Sequence, residues 1–189
     1  MMHWIDHEHL PATRGKVARL LFNPHGDMDG LLFQNGMEVH IPPHLSSALV
    51  RRIRPGDSVK VRGLRVRDRE LLVAVAVEPS TGKPVIDQGP GEKKGEKKKK
   101  DASAAKVERW GYSGTIERPI HGPRGDVHGA LLDDGVLLRF PPHAAAKHAG
   151  LFEKGQIIDV EGGWHKNAHG VVIAVDHAAP AGKALRQID

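Results

Sequence analysis

The sequence predicts an all-β protein made of two small tandem barrels, and three observations carry that prediction. A gapless internal repeat matches residues 15–63 to residues 114–162, with 14 of 49 positions identical. Each copy holds a strong hairpin signal, Asn35-Gly36 in the first and Asp134-Gly135 in the second, flanked by alternating apolar residues. Between the copies lies a stretch rich in Lys, Glu and Gly with no apolar periodicity, which reads as a solvated linker.

The elements follow in the same order in both copies. "GKVARLLF" (15–22) and "GTIERPI" (114–120) predict first strands, and "GLLFQNGMEVHIP" (30–42) and "GALLDDGVLLRFP" (129–141) predict hairpins. Period-two alternation turns Met37, Val39 and Ile41 inward, with Val136, Leu138 and Phe140 as their counterparts, and leaves Glu38, His40, Leu137 and Arg139 facing outward. The pairs Pro42-Pro43 and Pro141-Pro142 end the third strands, because proline cannot donate to a ladder, and the second proline of each suits the first turn of a helix. Short helices are expected over 44–53 and 143–152, with His44 and His143 serving architecture, either as caps or packed beneath the barrel. Residues 55–66 and 154–164 open a second hairpin that closes with strands at 71–77 and 171–175. A one-residue shift continues the repeat from "VAVAVE" (73–78) onto "VVIAVD" (171–176). The expected organisation is an N-terminal segment (1–13), a first barrel (14–85), a Lys-rich linker (86–109), a second barrel (110–178) and a C-terminal tail (179–189).

Composition narrows the class. In 189 residues, 39% hydrophobic, no apolar run approaches the roughly 18 residues that span a bilayer, so no membrane partner is expected. The N-terminus carries no secretory pattern, and the expected compartment is the cytoplasm. The absence of cysteine excludes disulfides and thiolate metal sites. The net charge of +5 is uneven: residues 1–85 carry +3 (12 − 9), residues 86–106 carry +3 (7 − 4) and residues 107–189 carry −1 (9 − 10). A basic first copy beside a basic linker points to a polyanionic partner, since each phosphate contact releases condensed counterions.

Three strands, a helix and two further strands in about 65 residues resemble the OB-fold, the oligonucleotide/oligosaccharide-binding Greek-key barrel. The repeated phrase, running from "PxGDxxG" through "PPH" to a final "V.V.G", is also similar to that of small bacterial OB-like proteins. The resemblance covers both copies and implies two five-stranded barrels, each with a short helix between its third and fourth strands. It further implies a binding face on strands 2 and 3, bounded by the loops between strands 1 and 2 and between strands 4 and 5. That face would hold Phe33, Glu38 and His40 with the loops 23–29 and 65–69 in the first copy, and Leu132, Leu137 and Arg139 with the loops 121–128 and 164–169, Trp164 and Lys166 among them, in the second.

Aromatic residues make up only 4% of the chain, so stacking cannot dominate and phosphate contacts should. Lys60 and Arg62 face outward on the fourth strand, and Arg65, Arg67 and Arg69 extend that basic surface, with Lys97, Lys98, Lys99 and Lys100 adding charge in the linker. The expected function is non-enzymatic binding of single-stranded DNA or RNA, weak and largely independent of sequence. The second copy inverts part of this charge, with Asp159 and Glu161 at the positions of Lys60 and Arg62. The alternative is therefore a protein-interaction scaffold whose barrels dock through these opposite stripes. A third reading, a histidine-based metal protein, rests on the pairs His7 and His9, His40 and His44, and His165 and His169. The second copy replaces His40 with Arg139, so no recurrent metal site and no cofactor are expected. Phosphate loops, nucleophile elbows and metalloprotease helices are absent from the sequence, and no catalytic residue is assigned.

Overall fold

The computed structural model describes residues 7–88 and 109–188, which form two closed five-stranded barrels. The linker lysines Lys97, Lys98, Lys99 and Lys100 lie outside the described residues.

The first barrel comprises β1 (Ala12–Phe22), β2 (Met28–Phe33), β3 (Glu38–His40), the helical turn α1 (Ser46–Leu49), β4 (Ser58–Arg65) and β5 (Leu71–Glu78). A two-residue strand, β6 (Val85–Ile86), adds to β5. The second barrel repeats this order with β7 (Arg109–His121), β8 (Val127–Leu132), β9 (Leu137–Arg139), α2 (Pro142–Lys147), β10 (Ile157–Asn167), β11 (Gly170–Pro180) and the added strand β12 (Arg186–Gln187). In each barrel the first strand pairs antiparallel with the second and the fourth. Closure comes from a parallel pairing, β3 with β5 and β9 with β11. This is the OB-like strand order, and closing the sheet removes its edges.

The repeated glycines have steric reasons. A Cβ at Gly63 or Gly162 would fall inside the carbonyl oxygen of Val73 or Ala174 on the neighbouring strand, where β4 and β10 each carry an irregularity in register. Gly36 and Gly135 turn their hairpins at φ values of 88° and 91°, open to glycine at no steric cost. The inward sets are as expected: Met37, Val39, Ile41, Val136, Leu138 and Phe140 are all buried.

The proline pairs act as expected, ending β3 and β9 and opening helical turns at Pro43 and Pro142. Both helices are shorter than their sequence patterns suggest, each combining one α segment with a 3-10 turn. Neither makes a side-chain cap bond; His44 Nε2 lies 2.9 Å from Asp87 Oδ1, tying the turn to the segment after β6. The buried Ser46 hydroxyl accepts from the Met28 N–H at 2.7 Å, fixing α1 beneath the barrel.

The repeat register of the last strand needs correction. The ladders equate Leu71 with Val172 and Ala74 with Val175, so β5 matches β11 at an offset of 101 residues. The extra residues sit in the β10–β11 hairpin, where six residues (166–171) separate His165 from its partner Val172, against four (67–70) between Val66 and Leu71. Alternating small apolar residues fit several registers by sequence, and only the ladder selects one.

The barrels dock through outward apolar residues of β1 and β2 in the first and of β7, β8, β9 and β11 in the second. Leu21 and Leu32 from the first barrel meet Ile120, Leu131, Leu137 and Val172 from the second in a separate apolar cluster, each 7% exposed or less. The arrangement follows a pseudo-two-fold axis. Arg19 Nη1 donates to the Gly135 carbonyl at 2.7 Å, while its counterpart Arg118 reaches the turn at Gly36, the counterpart of Gly135.

Candidate nucleic-acid interface

The face that the family resemblance marks for binding is the face that closes the seam between the barrels. Glu38 and Arg139 do point out of their own barrels, but onto the other one, and are 3% and 5% exposed. Phe33 requires a correction of direction: it points into the first core, 1% exposed, and fills the space over Gly15 that a Cβ would need. Leu132 likewise lies in the second core. Alternation itself requires this, since Leu31 and Phe33 share the first core while Leu32 between them faces the seam, and the irregularity of β2 falls between Met28 and Gly30.

Polar groups at the seam are matched in pairs. Arg139 Nη2 donates to Asp29 Oδ1 at 2.6 Å, its Nε to the Phe22 carbonyl at 2.9 Å, and its Nη1 to His128 Nε2 at 3.1 Å. Burial raises the Asp29 carboxyl above its usual range, with Arg139 opposing the rise. Burial and the Arg139 charge lower His128 from 6.5 to about 4, in keeping with a ring nitrogen that accepts from a guanidinium. His40 is lowered by the same two causes. Glu38 accepts from the His121 backbone N–H at 2.8 Å and from Arg118 Nη2 at 3.0 Å, and His121 Nδ1 lies 2.9 Å from its Oε1. Burial pushes this carboxyl up, but the His121 bonds and the Arg118 charge outweigh it and hold it below the usual range.

The charged stripes of β4 and β10 do not face each other. Lys60 pairs with Glu78 in its own barrel, and Arg62 donates to the carbonyls of Glu8 and Leu10 at 3.1 and 2.9 Å. Glu161 takes Arg109 at 3.0 Å, and Asp159 accepts from the Gly182 N–H at 2.8 Å. The expected docking through opposite stripes is thus corrected: the barrels dock with arginines from the second barrel on carboxylates from the first. Asp29, His121 and His128 fall within the flanking loops that the resemblance marks, though with no role in docking, and Arg118 escaped the sequence reading. One signal was present, since Arg19 and Arg118 are among the few repeat identities that are neither glycine, proline nor apolar.

The remaining sequence-chosen residues lie at the ends of the seam and beyond it. At one end, Arg65 at the close of β4 and Arg67 and Arg69 in the β4–β5 loop are exposed, and the β7–β8 turn lies against that loop. A Cβ on Gly125 would sit 3.1 Å from Val66 Cγ1 and 3.5 Å from Arg69 Cγ, and the exposed Arg124 precedes it on that turn. Among the described residues none of these four arginines has an ion-pair partner. The pseudo-equivalent end sets Gly26 against the His165 ring, with His25 and Lys166 exposed and His169 stacked on Phe22 at 5.4 Å. Trp164 packs at 5.3 Å from Trp110 and against the second core. Among the described residues no group of three His, Asp or Glu is arranged to hold a metal ion.

Fold and seam together define the chain as a tandem two-barrel protein of OB-like topology, its two copies docked face to face. No family model and no curated protein sequence matches it. Among solved structures, it is similar to the wild-type single-stranded DNA binding protein from Thermus aquaticus at 12% identity and a TM-score of 0.30, covering 93% of this chain and 94% of that one. A deletion variant of that protein aligns at 12% identity and a TM-score of 0.29, covering 92% and 94%.

Proposed function

We propose that the protein binds single-stranded DNA or RNA weakly, with little sequence preference and without catalysis, in the cytoplasm of a bacterium. The observation that carries this reading is the run of exposed arginines Arg65, Arg67 and Arg69 at the β4–β5 hairpin, with the exposed Arg124 on the turn that packs against Val66 and Arg69. Asp68 and Glu70 alternate with them, which tempers the local charge and fits weak binding. Phosphates are the ligand such arginines favour, and burial in the first core keeps Phe33, and the closed seam His40 and Arg139, from stacking or pairing with bases. Lys60, Arg62, Lys166 and the linker lysines Lys97, Lys98, Lys99 and Lys100 are secondary phosphate contacts, and Trp164 a peripheral one.

Fluorescence anisotropy with labelled single-stranded DNA and RNA, on the full chain across a salt series, tests this. Replacing Arg65, Arg67 and Arg69 with Gln should reduce the log–log salt slope by about 2 and weaken DNA and RNA alike. An unchanged slope would sink the assignment. The docked barrels favour a second reading, a rigid scaffold for a protein partner; it gains if the full chain shows no binding even at low salt.

A further inference from the structure

Beneath the second barrel, between α2 and the segment joining β11 to β12, lies an open recess of about 570 Å³. Its walls include Leu151, Ala178, Ala179 and Pro180, and its cations are Lys147, Lys183 and Arg186. Among the described residues no carboxylate lines it. The volume falls within the range of small-molecule sites, which pair apolar walls with a few placed polar groups.

The first barrel shows how this place is filled when it is merely structural. There Arg52 lies across the equivalent position, its Nη2 donating to the Thr81 carbonyl at 3.1 Å and the Lys83 carbonyl at 2.5 Å. The ladder offset equates the segment 81–83 with 182–184, which borders the recess. Four differences between the copies fall on this one spot. Leu151 stands at the position of the plugging Arg52, and Lys147 at that of Ala48. His148 takes the place of the fully buried Leu49, and its Nε2 is buried without a hydrogen-bond partner. Arg186 takes the place of Val85, which packs on the first core. One change removes the plug, two add cations, and one puts an unpartnered ring nitrogen where a leucine sufficed. A buried polar atom left unpaired is costly, and a bound acceptor or donor would relieve it.

We infer that this recess is a binding site for a small anionic amphiphile, an apolar body carrying one carboxylate, with the body on Leu151 and Pro180 and the head toward Lys183 and Arg186. The site is separate from the arginine run of the β4–β5 hairpin and does not depend on nucleic-acid binding.

Calorimetric titration of the full chain with decanoate, decanol and decylammonium tests it. Decanoate should bind saturably at one site, at least about tenfold more tightly than either of the others. The exposed pair Lys183→Gln and Arg186→Gln should weaken decanoate by at least about tenfold while leaving the circular dichroism melt in place. Leu151→Arg, which restores the first barrel's plug, should abolish binding, with the melt again reporting the fold. The inference is overturned by no saturable decanoate binding, by equal binding of decylammonium, or by binding that these variants leave unchanged. It is overturned equally if a short oligothymidylate displaces decanoate, since the cations would then belong to a nucleic-acid surface.

Discussion

The two halves of the seam are related by the pseudo-two-fold axis, yet they are built from opposite chemistry. On one half Glu38 is enclosed by Arg118 and His121; on the other, the corresponding residues are Leu137, Arg19 and Phe22. There Leu137 and Phe22 line one narrow crevice, and Arg19 turns to the Gly135 carbonyl. Near the axis, Asp29 pairs with Arg139, and the symmetry-equivalent residues are His128 and His40. A true two-fold interface must present the same patch on both sides, so one residue cannot be acid on one side and base on the other. Joining the two copies in one chain lifts that constraint. The first barrel keeps the carboxylates and the second the guanidinium groups, and the pairing now specifies which barrel meets which.

The largest expected effect comes from breaking the pair at the axis. Arg139→Leu leaves Asp29 buried opposite an apolar group and should destabilise the protein by about 3–5 kcal/mol in urea unfolding. Adding Asp29→Leu should recover most of that loss, because the uncompensated charge then disappears. If the single and double variants are equally unstable, packing rather than charge holds the axis. Next in size is Glu38→Gln, which keeps the shape but loses the ionised acceptor, at a cost of about 1–3 kcal/mol by the same measurement. A cost as large as that of Arg139→Leu would mean that the ionic half carries the docking.

Much of this fold was legible in the sequence because its cues are local. Asn35-Gly36 and Asp134-Gly135 turn hairpins wherever they occur between strands, and the proline pairs stop strands by chemistry alone. Alternation on β3 and β9 gave the inward residues correctly. It also showed that Glu38, His40 and Arg139 leave their own barrel, but not what lay beyond. The destination depends on contacts between residues some 80 to 117 positions apart, and no local pattern encodes those. The register of β11 failed for a related reason, since a longer hairpin is settled by the closed ladder rather than by a stretch of sequence, whereas Phe33 was misplaced by the resemblance and follows the alternation of Leu31 and Leu32. The recess under the second barrel was also written in the repeat, in Arg52 against Leu151 and Leu49 against His148. It became readable only once the structure had placed Arg52 against the 81–83 segment and the ladders had matched that segment to 182–184.

The smallest of the seam effects is titration of the histidines at the axis. His128 is held at about 4 in the folded protein, lowered first by burial and then by Arg139, against 6.5 for an unperturbed ring; His40 is lowered by the same causes. A depressed histidine is neutral in the docked state, so the unfolded state binds its proton first as pH falls. The docked form should therefore be fully stable above pH 6.5 and lose stability progressively from there down to about pH 4, where folded His128 also takes its proton. Glu38 works in the same direction only at lower pH, because its lowered carboxyl protonates later than a free one, while Asp29, raised by burial, opposes the loss. Urea midpoints at intervals from pH 7 to 4 should fall in wild type and fall less in His128→Gln, which removes the titrating ring but keeps an acceptor for Arg139. Solvent reaches part of His128, so this slope should be shallower than either substitution effect. Equal slopes in the two proteins would remove His128 from the account and leave the carboxylates alone to explain any acid sensitivity of the seam.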